Sequence, residues 1–184
     1  MAARIVHGFS GLRALEGIEL VSAPWLRIDQ RRIDAFAACT DDRQWIHVDP
    51  VRAAKSAYGG TIAHGYLLLA LVPALWHRAC DIREIGSVLN YGLDRVRFLA
   101  PVRSGSRVRA RFSISGVRAA ASGLRVALHV TIEAFGSEEP VCVADAILLY
   151  RAVPAIPEQG ERPNGVSRRS SGAPRRGRRS SSAR

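Results

Sequence analysis

Two short segments carry the residues best suited to acid–base chemistry. The first holds a carboxylate and an imidazole, Asp42 and His47, and the second places Gly65 directly after another imidazole, His64. A carboxylate and an imidazole held close together can polarise a water molecule, take its proton and return a proton to carbon. Asp42 with His47 is one such combination, and Asp49, two residues after His47, is a second carboxylate in the same segment.

Gly65 stands near the start of a long apolar stretch that predicts a helix. The N–H groups in the first turn of a helix have no partner within the helix, and the helix dipole places positive charge there. The Gly65 N–H is therefore available to an oxygen that gains negative charge during a reaction. A carboxylate, an imidazole and such a donor are the parts needed to add water to a double bond conjugated to a carbonyl.

Neighbouring polar residues have alternative interpretations. Asp49 precedes Pro50, a pair that readily starts a turn or a helix, which favours a structural role. His64 could act as a second acid–base group, but its position favours a role in shaping the start of the apolar helix. His47, Asp49 and His64 also resemble a metal-ligand set, although one His-x-Asp pair with a distant histidine is a weak signal. We predict no metal and no bound cofactor.

The surrounding pattern predicts the elements that position these residues. Residues 17–27 form an edge strand interrupted by a proline. Residues 29–40 form an amphipathic helix capped by the aspartate at its start. Residues 43–50 form a loop that ends in a short turn. Residues 62–79 are apolar on every side, which predicts a long helix enclosed by other structure, and Pro73 could kink it.

Strands fill much of the second half of the chain. Four stretches have the alternating or continuous apolar pattern of strands: residues 87–98, 106–114, 124–134 and 141–150. The last is apolar on both faces, as in a central strand, and the first changes phase, which predicts a β-bulge near Asp94. Turns at residues 103–106 and 121–123 separate the strands as hairpins. Because no crossover helices separate the strands, we predict an α+β fold, a curved antiparallel sheet wrapped around a long apolar central helix.

Positive charge is unevenly distributed along the 184 residues, whose formal net charge is +11. Residues 158–184 hold eight arginines against two glutamates, together with six serines. Such a segment buries too little apolar surface to offset its ordering entropy, so we predict one domain over residues 1–157 and a disordered basic tail. The tail could bind nucleic acid non-specifically. It has no aromatic residues among its basic ones, so we predict no specific nucleic-acid partner.

Several features indicate a cytoplasmic protein. The cysteines, Cys39, Cys80 and Cys142, form no C-x-x-C pair and have apolar or small neighbours, which predicts buried free thiols in a reducing compartment. The N-terminal residues have no sustained apolar run of the kind found in a secretory signal. The longest apolar stretch falls short of the roughly 20 residues that a membrane span needs, so we predict no membrane association.

Three segments resemble a known family of enzymes. They are residues 42–50 (DRQWIHVDP), 60–65 (GTIAHG) and 90–98 (NYGLDRVRF), in that order. Together they resemble the MaoC-like (R)-specific enoyl-CoA hydratases, and within them the nodulation-protein-N-like branch. The resemblance covers about residues 15–152. It departs at Gln44-Trp45, where many hydratases of the family have Asn-Pro.

The resemblance implies a single hot-dog fold, a homodimer, and hydration of a trans-2-enoyl-CoA to the (R)-3-hydroxyacyl-CoA. Coenzyme A would enter as part of the acyl-CoA substrate. By motif position, Asp42 and His47 correspond to the catalytic pair, and Gly65 to the donor that meets the thioester carbonyl. Gln44, like His64 and Asp49, would be a supporting residue, because it keeps an amide beside the pair.

Two further functions are compatible with the sequence. In an acyl-CoA thioesterase, Asp42 would direct water to the carbonyl carbon; in a catalytically silent acyl-CoA-binding protein, the pair would do no chemistry. His47 favours hydration, because addition to a double bond needs a proton donor as well as a base. Arg95 and Arg97 could meet the phosphates of coenzyme A through their planar guanidinium groups, or they could lie on a solvated outer face of the sheet.

Overall fold

The computed structural model describes residues 3–153, and the tail predicted for residues 158–184 lies outside them. The described helices are α1 (Gly8–Arg13), α2 (Gln30–Thr40), α3 (Trp45–Val48), α4 (Pro50–Ala54), α5 (Gly65–Ala70) and α6 (Val72–Ala79). The strands are β1 (Arg4–His7), β2 (Glu19–Val21), β3 (Leu26–Arg27), β4 (Cys80–Arg83), β5 (Ser87–Phe98), β6 (Arg107–Ala120), β7 (Gly123–Ala134) and β8 (Pro140–Arg151).

One antiparallel sheet dominates the molecule. Its strands run in the order β2–β6–β7–β8–β5, and β3 also pairs with β6. Buried side chains of α5 and α6, such as Leu68 and Trp76, share one hydrophobic core with Phe112 of β6 and Leu128 of β7. The α+β arrangement predicted from the sequence, an antiparallel sheet packed around helical segments, is confirmed.

The alternation predicted for β6 and β7 is observed. Inward side chains of both strands are buried: Val108, Ala110, Phe112, Ile114, Val126, Leu128, Val130 and Ile132. On the outer face Arg109 and Arg111 donate to Glu133 at 2.8 and 2.5 Å. β8 lies between β7 and β5, the central position that its apolar sequence predicted.

β5 is an edge strand, and its partner differs from the one the turns suggested. The turn at residues 121–123 joins β6 and β7 as a hairpin, as predicted. The turn at residues 103–106 joins no hairpin, because β5 pairs with β8 rather than with β6. Register shifts within β5 leave Tyr91 and Asp94 without a partner in β8. The second shift lies where the change of phase predicted a bulge.

The central helix is shorter than predicted, since α5 and α6 are separate helices that meet at Leu71. Pro73 explains the break, because it has no N–H to donate and its ring crowds the carbonyl of the preceding turn. The segment is also not enclosed on every side, since Tyr66 is 70% exposed and Ala70 is exposed as well. No helix within residues 3–153 is long and apolar enough to cross a membrane.

Other elements correct the sequence prediction. The loop predicted for residues 43–50 contains the short helix α3. β1 and β4 pair in parallel as a separate small sheet. They were not predicted, because the apolar and polar residues of each strand alternate only weakly and the strands form only by pairing with each other. Cys80 and Cys142 are buried as expected, and burial raises the pKa of each thiol to about 11. Cys39, at the end of α2, is exposed, contrary to the prediction.

Candidate active site

Helix α2 places Asp42 just beyond its last turn. Asp29 caps the start of this helix by accepting a hydrogen bond from the Arg32 N–H at 2.9 Å, and Asp41 ends it in the left-handed conformation with φ 59°. This reversal is one that aspartate tolerates better than most residues. Asp42 follows with its side chain about half exposed, so its carboxylate stands at the rim of the site.

His47 lies in α3 and is buried. Its Nδ1 is 2.7 Å from the backbone oxygen of Ile62. Since a carbonyl oxygen only accepts hydrogen bonds, Nδ1 carries the proton and the neutral ring keeps a bare lone pair at Nε2. The Ile62 N–H in turn donates to the Ile46 oxygen at 3.0 Å. These two bonds fix α3 and its imidazole against the segment that leads into α5.

Burial lowers the pKa of His47 below its ordinary value of 6.5. The hydrogen bond to Ile62 and the carboxylate of Asp42 oppose this shift, whereas the neighbouring His64 adds to it. Loss of hydration disfavours the charged ring more than these contacts favour it. His47 is therefore neutral at pH 7, in the form that can accept a proton.

His64 lies between the candidate pair and the apolar core. Its ring stacks on His47 with centroids 3.7 Å apart, and Phe36 packs against it at 5.1 Å. Its Nε2 donates to the backbone oxygen of Asp42 at 2.9 Å and lies 4.0 Å from the Asp42 carboxylate. Among the described residues its buried Nδ1 has no hydrogen-bond partner. His64 thus holds the chain at Asp42 and fills the space beneath His47.

Asp42, His47 and His64 bring three potential metal ligands within 4.8 Å of one another. An ion bound by an imidazole lies close to the plane of the ring, about 2 Å from nitrogen. The two rings are stacked with only 26° between their planes, so one ion cannot lie in both planes at that distance. Each ring also uses one nitrogen on a backbone carbonyl. The geometry suits proton transfer better than metal binding.

Gly65 begins α5 immediately after His64. A Cβ on Gly65 would lie 2.9 Å from Cγ of the Phe98 ring, closer than carbon atoms approach without displacement. The glycine therefore lets β5 close against the start of α5. This contact also explains part of the requirement for glycine that the sequence attributed to a substrate carbonyl.

Two cavities adjoin this cluster. The smaller, of about 250 Å³, is lined by His47, Gly65 and Phe98 together with residues 99–102, which follow β5. The larger, of about 640 Å³, is an apolar groove between the helices and the inner face of β5 and β8. Phe36, which packs on His64, and Tyr66 are among the residues that line the groove. The cluster therefore borders the small cleft directly and the apolar groove through Phe36.

The remaining candidate residues lie around or away from this cluster. Asp49 caps α4 by accepting a hydrogen bond from the Arg52 N–H at 2.9 Å, so its carboxylate has a structural partner. Gln44 precedes α3 and is exposed. Arg95 and Arg97 lie on the outer face of β5, opposite the helices, and Arg95 donates to Asp145 at 3.1 Å. Within one chain neither arginine reaches the cluster.

One residue of this region was not predicted from the sequence. Gln30, the first residue of α2, donates to the backbone oxygen of His47 at 2.7 Å and accepts a hydrogen bond from Thr61 at 2.5 Å. Nothing in the sequence distinguishes a polar residue in the first turn of a helix that makes such contacts from one that is simply exposed to solvent. Only the fold brings α2, α3 and residue 61 together.

Comparisons with known proteins place these features in a family. The model of the MaoC-like domain matches residues 14–134. The chain is 43% identical over 150 residues to 3-hydroxyacyl-thioester dehydratase Z of Mycobacterium tuberculosis, which covers 81% of this chain and 99% of that protein. It is 44% identical over 153 residues to nodulation protein N of Rhizobium leguminosarum bv. viciae, which covers 82% of this chain and 92% of that protein.

A solved structure supports the architecture. The (R)-hydratase of Aeromonas caviae involved in PHA biosynthesis superposes with a TM-score of 0.61 at 24% identity, over 73% of this chain and 95% of that chain. The antiparallel sheet around α5 and α6 is thus a hot-dog fold. The chain belongs to the MaoC-like domain family, as its three sequence segments indicated.

Proposed function

We propose that this protein is an (R)-specific enoyl-CoA hydratase, which adds water to a trans-2-enoyl-CoA and catalyses the reverse dehydration. The observation that carries the proposal is the meeting of the Asp42 carboxylate with the neutral imidazole of His47 beside the first turn of α5. The names of the relatives, a thioester dehydratase and an (R)-hydratase, support the same reaction class. The (R) configuration of the product rests on the family alone.

The residues divide the reaction between them. Asp42 and His47 hold one water molecule, and the bare Nε2 of His47 takes its proton as the water oxygen bonds to C3. Electron density moves from the double bond to the thioester oxygen, which the Gly65 N–H stabilises as it gains negative charge. The imidazolium then returns its proton to C2. Water is added in full, and the protein ends in its starting protonation state.

The cavities support an acyl thioester as the substrate. The small cleft beside His47 and Gly65 suits the thioester and the arm that carries it. The groove beyond Phe36 and Tyr66 suits an apolar acyl chain, because nearly all of its lining side chains are apolar. The steps above need only Asp42, His47, the backbone N–H of Gly65 and water, and we propose that the reaction uses no metal and no cofactor beyond the coenzyme A of the substrate.

We propose that the working protein is a homodimer joined along β5. This strand pairs with β8 on one side, and no other described strand pairs with it. Its apolar side chains Val88, Leu89, Tyr91, Leu93 and Phe98 are 37% to 53% exposed. An open edge with exposed apolar side chains is a template for another strand. A second copy would continue the sheet and cover this surface.

The decisive experiment offers crotonyl-CoA and octenoyl-CoA separately and follows the absorbance of the conjugated thioester together with free thiol. Loss of absorbance without thiol release supports hydration, whereas thiol release would identify the thioesterase alternative. Binding with neither signal would identify the silent acyl-CoA-binding alternative. Chiral analysis of the 3-hydroxyacyl product then tests the (R) configuration, since an (S) product would contradict the proposal.

A further inference from the structure

The side chain of Gln30 has all of its main hydrogen-bonding positions occupied. Its two amide hydrogens go to the backbone oxygen of His47 at 2.7 Å and to Asp34 at 2.8 Å, and its oxygen accepts from the Thr61 hydroxyl at 2.5 Å. Because a carbonyl and a carboxylate only accept hydrogen bonds, the orientation of the amide is determined by its partners. Gln30 joins α2, α3 and the segment before α5.

These contacts bear directly on the imidazole of His47. The backbone oxygen of His47 accepts a hydrogen bond from Gln30. The Nδ1–H of the His47 ring donates to the backbone oxygen of Ile62, the residue after Thr61. Gln30 is therefore hydrogen-bonded near both ends of the bond between His47 and Ile62. It binds the donor residue through the His47 backbone oxygen, and it binds Thr61, the residue before the acceptor Ile62. Displacing either side would tilt the ring and move its Nε2.

We propose that Gln30 is a positioning residue for the hydration reaction, which sets the direction of the His47 lone pair without touching substrate. The inference rests on the proposed function for its kinetic test. Reactions of this kind depend steeply on alignment, and a displacement of about 1 Å can reduce the rate about a hundredfold. Gln30 therefore acts on kcat rather than on substrate binding.

Two substitutions separate positioning from space filling. Gln30→Met keeps the volume and removes all three hydrogen bonds. Gln30→Glu keeps the acceptor for Thr61 but, when ionised, cannot donate to His47 and repels Asp34. At about pH 8 each variant should lower kcat about tenfold while KM changes less than about twofold, because the ring is misaligned and the cavities are intact.

The pH dependence gives a signature that a structural role would not. In Gln30→Glu, protonation of the introduced carboxylate restores a hydrogen for the His47 oxygen. The neighbouring Asp34 carboxylate and the His47 oxygen both disfavour the ionised form of this side chain, which raises its pKa by about one unit or more above the ordinary value of about 4.3. The ratio of kcat in this variant to kcat in wild type should therefore rise severalfold between about pH 8 and about pH 5. Gln30→Met has no such group, and its ratio should stay flat. Asp34→Asn is the matched control: it changes another partner of the same amide, and kcat should stay within about twofold of wild type.

A second readout is independent of catalysis. In protein labelled with ¹⁵N-histidine, the Nδ1 proton of His47 should exchange slowly with solvent, and Gln30→Met should speed that exchange about tenfold by loosening the bond to Ile62. If the wild type hydrates no enoyl thioester, the proposed function fails and the exchange rate alone decides the role of Gln30. Unchanged exchange in Gln30→Met would overturn the inference, as would unchanged kcat in a protein that is an active hydratase.

Discussion

At the level of single residues, His47 combines burial with fixed orientation. Its Nδ1–H is committed to the Ile62 oxygen and its ring rests on His64. Burial keeps the ring neutral by lowering its pKa. A base in this state needs no deprotonation step before it meets a water molecule. Asp42, half exposed at the rim, supplies the second contact to that water.

The two groups act on one water molecule, so their losses should not add. Asp42→Asn and His47→Gln should each lower kcat by roughly 10²–10⁴-fold, because His47 transfers the proton and the Asp42 carboxylate holds the water and stabilises the imidazolium that forms. KM should change little, because neither side chain needs to bind the coenzyme A part of the substrate. The double variant should be scarcely slower than the slower single variant in steady-state assays. Retention by Asp42→Asn of more than about a tenth of wild-type kcat would rule out this pair.

The lowered pKa of His47 predicts the response to acid. The folded state binds a proton at this ring less readily than the unfolded state does, so its contribution to stability is complete above pH 6.5 and is lost as pH falls through the folded pKa. The rate of hydration should fall over the same acid range as the base becomes protonated. Measurements of kcat/KM and Tm against pH should show both effects. His47→Gln should remove the part of the fall in Tm with pH that comes from this ring. A fall in kcat/KM on the acid side that is centred above pH 6.5 would contradict the assignment of His47 as the base.

At the level of helices and strands, the start of α5 depends on one close contact, that of Gly65 with Phe98. Gly65→Ala should lower Tm and reduce the free energy of unfolding by about 1–3 kcal/mol, because the added carbon meets the ring. Adding Phe98→Ala should relieve this crowding without restoring kcat, since the methyl group still stands beside the N–H donor. Thermal unfolding and steady-state kinetics of both variants give the two readouts.

Gly116→Ala is the matched control for this pair, because a Cβ there meets no atom within 4 Å. It should leave both Tm and kcat near their wild-type values. If the double variant regains full activity, the only function of Gly65 is to make room for Phe98, and the proposed donor to the thioester must be sought elsewhere.

The extent of sequence prediction follows from how local each signal is. The cap of α2 by Asp29, the alternation of β6 and β7 and the bulge in β5 depend on neighbouring residues, and all three are observed. The partner of β5 depends on contacts far along the chain, so a turn at residues 103–106 suggested the wrong pairing. Gln30 has the same limitation, because its partners are distant in sequence. The resemblance supplied the candidate pair, but its stacking on His64 became visible only in the fold.

At the level of the whole molecule, β5 closes one side of the apolar groove and leaves one edge of the sheet open. A partner strand on this edge would cover the exposed apolar side chains and enclose the groove. We therefore expect binding of the acyl chain and association of two copies to depend on the same strand. The inward residues of β5 would face the acyl chain of the substrate, and its free edge would face the second copy of the protein.

This arrangement predicts how a charge on β5 acts. Leu89 is 42% exposed and lies opposite Leu149 on the outer face, away from the groove. Leu89→Lys should weaken dimerisation by about tenfold or more, because two copies would place like charges near one another. Val51→Lys, at a still more exposed apolar residue of α4, should have no effect. Sedimentation equilibrium measures both, and a monomeric wild type at micromolar concentration would exclude the dimer.

The pairing of β5 with β8 also determines the order in which the chain can fold. β6, β7 and β8 follow one another through short connections, so their contacts are local and form early. β5 is synthesised before all three, yet its partner β8 is the last strand along residues 3–153, the part of the chain that the structure describes. During translation β5 therefore has no strand to pair with until β8 has been synthesised. Its apolar side chains stay exposed over that interval, which makes them a site for chaperone binding. In refolding at high protein concentration the same strand is the first candidate for association between chains.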